Sequence, residues 1–376
     1  MKNDCIIIGG GASGLMLAAM TKVNKGVILE ATPAVGTKLL MTGGGRCNIT
    51  HGGSIKDFVD CYDEAGRVLR KCLYRHSNTQ MLEWLENIGL PVVEIDERYY
   101  PASEKAADVK NVLVSSAIKN GWEIKTNAKV TGLEKNGDCW DVAASGQLLN
   151  SEKVVIATGG ITYPETGSDG SIFPILKQLG IRITELRPAL APVYVRDYPY
   201  GELSGISLEN VTVAAFATSS HTCKGKAARV TGDILFTHNG FSGPAVLKLS
   251  KYCEPGEIIR LNYNCELNEL PKRMAKLLEN RARGESGDIK TSKLSALLEA
   301  DDFIVDRIDE KGIVTSGGID LSEIDAGTME IKRCPGLFAI GEALDADGTT
   351  GGYNLQLCYS TAATVKDAIW TQFKIL

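Results

Sequence analysis

Residues 5–14 read Cys5-Ile6-Ile7-Ile8-Gly9-Gly10-Gly11-Ala12-Ser13-Gly14, and this stretch decides the fold. The apolar run predicts a buried strand, and Leu15 to Met20 continues as a helix. Glycines at 9, 11 and 14 place G-x-G-x-x-G between that strand and that helix, the context that gives the pattern meaning. Gly9 permits the tight turn, Gly11 lets the backbone approach a diphosphate, and Gly14 lets the helix lie close to the strand. The exposed amides at the helix start favour a doubly negative diphosphate. A second apolar strand, Gly26-Val27-Ile28-Leu29, ends in Glu30, placed to hold a ribose hydroxyl pair. Together these features predict an α/β dinucleotide-binding fold. Glu30 alone leaves both flavin and nicotinamide dinucleotides open.

The bulk properties set outer limits. A chain of 376 residues predicts two or three domains. Its net charge of −5 gives no electrostatic case for nucleic acid or an anionic membrane, and no basic stretch stands out. Met1 runs straight into a strand without a secretory leader, and no apolar run reaches a membrane span, so a cytoplasmic protein is expected. The ten cysteines (5, 47, 61, 72, 139, 223, 253, 265, 334 and 358) form no C-x-x-C pair. Reduced thiols are expected, with neither a zinc site nor a dithiol motif. The four histidines lack metal-ligand spacing, so no metal site is expected.

After Glu30 the chain runs Gly36-Thr37-Lys38-Leu39-Leu40-Met41-Thr42-Gly43-Gly44-Gly45-Arg46-Cys47-Asn48. Three glycines in a row predict a loop passing close to another group. Asn78 to Ile88 and Ala106 to Ala117 have helical spacing. Trp122-Glu123-Ile124, Lys129-Val130-Thr131 and Trp140-Asp141-Val142 read as short strands of one sheet layer. Lys153 to Gly160 is a buried strand opening onto two glycines, a return to the first sheet. Beyond Arg187-Pro188, strand signals recur at 193–195, 211–216, 234–236 and 258–261, a β-rich insertion. Leu270 to Leu278 and Ser292 to Leu298 look helical. Gly336-Leu337-Phe338-Ala339-Ile340-Gly341-Glu342 is a last buried strand, and a helix from about Asn354 to Phe373 ends the chain.

Three further blocks narrow the reading: Thr158-Gly159-Gly160-Ile161-Thr162-Tyr163-Pro164-Glu165-Thr166-Gly167, Phe236-Thr237-His238-Asn239-Gly240, and the run from Gly341-Glu342 through Asp345, Asp347 and Gly351-Gly352-Tyr353-Asn354-Leu355. With the glycine turn and the Gly43 to Asn48 loop, the chain resembles the BaiN-like and aminoacetone-oxidase-like bacterial flavoproteins, from Asp4 to Ala363. The resemblance implies FAD held by a discontinuous Rossmann-type domain, residues 1–188 plus 318–376. An inserted β-barrel-like domain would span 189–267 and a small helical insert 268–317. The loop after Gly167 is shorter than is usual in related sequences, which weakens transfer of any relative's substrate.

On this reading Gly9, Gly11, Ala12, Ser13 and Gly14 hold the pyrophosphate and Glu30 the adenosine ribose. Lys38, Gly43, Gly44, Gly45, Arg46, Cys47 and Asn48 line the cofactor, as do Val130, Thr158, Gly159 and Gly160. Arg46 could neutralise phosphate, pair with Glu30 or hold an internal carboxylate. Cys47 is a redox thiol or, more commonly in such a place, a small core residue. Glu342 would accept bonds from the ribityl chain, with Asp347 nearby. Gly351, Gly352, Tyr353, Asn354 and Leu355 would bring a helix amino end to the flavin ring. His238, Tyr163 and Tyr353 are the candidate catalytic side chains.

The expected activity is FAD-dependent hydride transfer at flavin N5 to or from a small organic substrate bound between the FAD domain and the insertion. The leading form is reduction of an activated double bond, with NADH or NADPH as a transient donor, since no second glycine fingerprint is present. An oxygen-dependent oxidase of a small amine, releasing peroxide, is the alternative. A flavin-dependent binder or sensor without enzymatic activity belongs to a different class. A flavoenzyme acting on nucleic acid would need a basic face that only folding could assemble. The oligomeric state stays open.

Overall fold

A computed structural model describes residues 2–216, 228–284 and 288–370. Cys223 and Phe373 therefore lie outside the described residues. The chain divides into two compact units, residues 1–187 with 314–376, and residues 188–313.

The first unit is built on a seven-stranded sheet. Its order is Ile324–Asp325, Glu330–Ile331, Leu337–Ala339, Val154–Ile156, Cys5–Ile8, Gly26–Leu29 and Trp122–Lys125. The last five run parallel, with Ile6 opposite both Val154 and Val27. Cys5–Ile8 and Gly26–Leu29 are buried at every position, as strands covered on both faces must be. The helix Ala12–Met20 packs against Ala106–Lys119 and against Tyr353–Trp370. A separate mixed sheet joins Lys2–Asn3, parallel to its neighbour, with the antiparallel strands Gln147–Ser151, Cys139–Ala144 and Val130–Asn136. The expected single layer thus splits. Trp122–Lys125 leaves the other two strands and closes the edge of the parallel sheet, where the Trp122 ring packs on Gly26. A three-stranded sheet of Thr50–His51, Arg98–Pro101 and Val92–Ile95 completes the unit.

The second unit is a closed six-stranded barrel. Its order is Val193–Val195, Gly240–Ser242, Ala228–Phe236, Ser207–Phe216, Ile258–Asn262 and Asp301–Ile308, and the last strand pairs with the first. Its core stacks Tyr200, Phe236, Phe241 and Phe303 edge to face. The helices Lys272–Ala282 and Thr291–Glu299 do not form a third body. Met274 and Leu278 enter the barrel's own core, and Asp301–Ile308 inside the expected helical insert is a barrel strand.

Candidate functional site

The amino-terminal turn has the geometry its glycines predict. Gly9 sits at φ +107°, and a Cβ there would lie 2.4 Å from the carbonyl oxygen of Ala157. A Cβ on Gly14 would lie 2.2 Å from the Gly9 oxygen. Both glycines are therefore required by the protein itself. Gly11 differs: a Cβ there would meet nothing nearer than 4.0 Å. It faces open space at the start of Ala12–Met20, a helix with no side-chain cap and no acid in its first turn. Uncapped amides beside a vacant approach make an anion cradle.

Glu30 is 5% exposed, and its carboxylate is fixed to that turn. It accepts from Gly10 N at 2.8 Å and from both Thr32 N and Thr32 Oγ1 at 2.8 Å. A cavity of about 350 Å³ lies at the carboxyl ends of the neighbouring strands, lined by Leu29, Asn127, Ala128 and Ala144 among others. Ligands of doubly wound sheets bind at such strand ends. Val130 follows on the adjoining strand, buried opposite Ala144.

The return segments meet at a half-buried ion pair. Lys38 Nζ lies 2.8 Å from Glu342 Oε2 and donates to Thr162 Oγ1 at 2.7 Å. The amide of Thr315 donates to Glu342 Oε1 at 2.8 Å. Thr162 Oγ1 also donates to Glu342 Oε1 at 3.3 Å, so Glu342 ties three separated segments together. Gly159, at φ +74°, passes Ser168, whose buried Oγ has no hydrogen-bond partner among the described residues, and Thr158 precedes it at the strand exit. Gly160 lies so close to Thr315 that a Cβ would fall 2.0 Å from Thr315 Oγ1.

Gly43, Gly44 and Gly45 all take positive φ. Nothing lies within 4 Å of a Cβ built on Gly44, so that stretch too borders open space. Arg46 pairs with Glu104 and covers the Tyr100 ring with its guanidinium 4.5 Å from the centroid. Of the three roles open to Arg46, the structure gives it an internal carboxylate, not Glu30. Cys47 is fully buried, and burial pushes its thiol up to about 11. It stays protonated at neutral pH, unlike a redox thiol. Cys47→Ser should change flavin content and the rate of flavin reduction by no more than about twofold in anaerobic stopped-flow absorbance. A lost reduction step would restore the redox reading.

Asn48 Oδ1 is buried without a hydrogen-bond partner among the described residues and faces Gly352. Gly351 and Gly352 hold φ +112° and +97° just before the helix Tyr353–Trp370. Thr50 backbone atoms fill the place of a Gly352 Cβ, and the His51 ring that of a Gly351 Cβ. His51 stacks on Tyr353 with centroids 5.2 Å apart. Burial pushes the Tyr353 hydroxyl well above its ordinary value. Asn354 spends its side chain on the preceding loop, exchanging 2.9 Å bonds with Gly348. Leu355 and Asp347 are buried nearby in sequence.

Tyr163 takes a left-handed backbone at φ +57°, with Lys38 5.8 Å from its ring centroid. His238 lies in the second unit, exposed on the turn between Ala228–Phe236 and Gly240–Ser242. Sequence reasoning passed over His51, Thr162, Ser168 and Thr315 as site residues. Each reaches the site through a contact from a distant segment, and only the glycines beside Thr315 hinted at it.

Open approaches at Gly11 and Gly44, buried oxygens on Asn48 and Ser168 that find no hydrogen-bond partner among the described residues, and a fixed acid at the second strand fit a long dinucleotide. The fold and site define a Rossmann-type FAD flavoprotein with an inserted barrel. Residues 3–367 match the HI0933-like protein Rossmann domain family. The chain belongs to that family of FAD-dependent oxidoreductases. It is 29% identical to a ribosomal RNA dihydrouridine synthase of Escherichia coli (strain K12), over 97% of this chain and 98% of that protein. It is 26% identical to a 3-dehydro-bile acid delta(4,6)-reductase of Clostridium scindens, over 94% and 96%. Among solved structures it resembles the E. coli quinol fumarate reductase FrdA with TM-score 0.55 and 14% identity, over 100% of this chain and 71% of that one. That likeness concerns the fold. No helix among the described residues is long and apolar enough to cross a membrane.

Proposed function

We propose that the protein reduces a carbon–carbon double bond conjugated to a carbonyl, and that its substrate is a uracil ring in ribosomal RNA. The observation that carries this reading is the end-to-end match to two relatives whose names describe one bond chemistry. Uridine and a 3-keto steroid both present an alkene polarised by a carbonyl. FAD supplies the hydride when bound, and NADH or NADPH is the proposed source of its electrons. In uracil the hydride adds to C6 and a proton adds to C5, giving dihydrouridine with atoms and charge balanced.

The chain's own residues would hold the cofactor and the proton. Gly11, Ala12 and Ser13 would take the pyrophosphate, Glu30 the ribose, and the Gly351–Gly352 turn the ring edge. Tyr353 is the proton donor we favour, because its half-buried hydroxyl keeps its proton at neutral pH and its ring packs beside that turn. Tyr163 and His238 are the other candidates.

The test supplies purified protein and NADPH with ribosomal RNA lacking dihydrouridine and, separately, with a small cyclic enone. Mass spectrometry should find dihydrouridine at defined positions in the RNA. Reduction of the enone alone would move the substrate to small molecules. Peroxide release from an amine, with neither alkene reduced, would overturn the reading in favour of an oxidase.

A further inference from the structure

We propose that the outward face of the helix Lys272–Ala282, with the start of Thr291–Glu299, is a contact surface for the phosphate backbone of RNA. The inference rests on the substrate reading above and extends it to how the RNA is held.

Helical geometry assembles the face. At 100° per residue, Lys272, Lys276 and Arg273 fall within an arc of about 100°, and Arg283 continues it. All four side chains are exposed, while Met274, Leu278 and Ala282 on the far side are buried. Lys290 lies against Gly284 and Lys293 stands one turn further on, both exposed. Glu279 is the one acid in Lys272–Ala282.

Five cations of this surface stand without an ion pair among the described residues, whereas several arginines of the barrel are held by aspartates. Arg196, Arg260, Arg281 and Arg307 of the barrel each pair with an aspartate. Among the described residues, no ion pair engages Lys272, Arg273, Lys276, Lys290 or Lys293. A cluster of free cations on a chain of net charge −5 is local and directional, not an average property. Its complement is a repeating polyanion. Exposed, flexible ammonium groups suit phosphates, which position a nucleic acid without reading its sequence.

The test compares wild-type holoenzyme with the triple variant Lys272→Gln, Arg273→Gln, Lys276→Gln. The three sites are exposed and distant from the packed face, so flavin content, thermal midpoint and reduction of the small enone serve as controls and should not move. Binding to a ribosomal RNA fragment is measured against salt concentration. The slope of log K on log salt should fall by about 2–3 in the variant, as about 0.7–0.9 is lost per released phosphate contact. Affinity at low salt should fall by about tenfold or more. An unchanged slope and affinity would overturn the proposal. So would wild-type binding to phosphatidylglycerol vesicles with none to RNA. The two readings fail separately. Should the wild type bind RNA through this face yet leave its uridines unreduced, the surface stands and the substrate reading falls. Should the triple variant reduce ribosomal uridines with unchanged KM and salt dependence, the substrate reading stands and the surface falls.

Discussion

Gly11→Asp should yield a folded protein that purifies without flavin. Gly11 is the cap residue of Ala12–Met20, with φ −78° and ψ −167°, a conformation open to any residue. Nothing lies nearer than 4.0 Å to its added Cβ. Aspartate is a better helix cap than glycine by a few tenths of a kcal/mol, so the substitution favours the fold slightly. The same carboxylate would stand where a diphosphate must approach and would occupy the amides that should receive it. FAD affinity should fall at least about a hundredfold, or ~2.8 kcal/mol. Flavin absorbance of the purified protein and fluorescence titration with FAD measure this. The thermal midpoint must be compared with wild-type protein stripped of flavin, because bound cofactor raises stability by mass action. Stoichiometric FAD in the variant would place the pyrophosphate elsewhere. A misfolded variant would mean that Gly11, like Gly9 and Gly14, serves the packing.

The contrast among these glycines explains what was legible in the sequence. The turn at 9–14 announces itself because strand, turn and helix are local, and each glycine has a separate steric reason. Partners across the fold are not announced. Trp122–Lys125 reads as a strand, yet nothing in those residues says that its partner is Gly26–Leu29 and not Val130–Asn136. Asp301–Ile308 was hidden by four charged residues. Its burial alternates, so Phe303 and Val305 point inward with Asp301 while Asp302 and Asp306 face out. Arg46 offered three partners on paper, and the one it takes, Glu104, lies on a different segment. Ser168 and Thr315 carry no motif, and only the closeness of Gly159 and Gly160 gives them a place. Local charge is hidden in a related way. The value of −5 sums over the whole chain, whereas Lys272, Arg273 and Lys276 come onto one side only once a helix forms.

Asp301→Ala should lower the stability of the barrel unit by about 3–5 kcal/mol. Its carboxylate is fully buried and accepts from Tyr263 Oη at 2.8 Å, from Arg281 at 2.8 Å and from Tyr200 Oη. Burial pushes both phenols well above their ordinary range, so they remain donors at any physiological pH. Removing the carboxylate leaves two hydroxyls and a guanidinium without their acceptor. Because Arg281 keeps 30% exposure, it can recover some hydration, which argues for the lower end of that range. The two units can be followed separately. Trp84, Trp122, Trp140 and Trp370 all belong to the first unit, so tryptophan fluorescence is blind to the barrel. Hydrogen exchange of the Ile258–Asn262 and Asp301–Ile308 amides should speed up in the variant, while the tryptophan transition in urea holds its midpoint. The cluster's polarity, as opposed to its volume, is tested by combining Asp301→Leu with Arg281→Met. Buried ion pairs replaced by apolar groups of similar size are often no less stable, so the double variant should recover the part of the loss due to the stranded guanidinium, while the two phenols, still without their acceptor, keep about 1–3 kcal/mol of it. If Asp301→Ala leaves barrel exchange unchanged, the cluster does not hold the strand Asp301–Ile308 in place. If the double variant is as unstable as the single one, the cost comes from the two phenols and from lost shape, not from stranded charge.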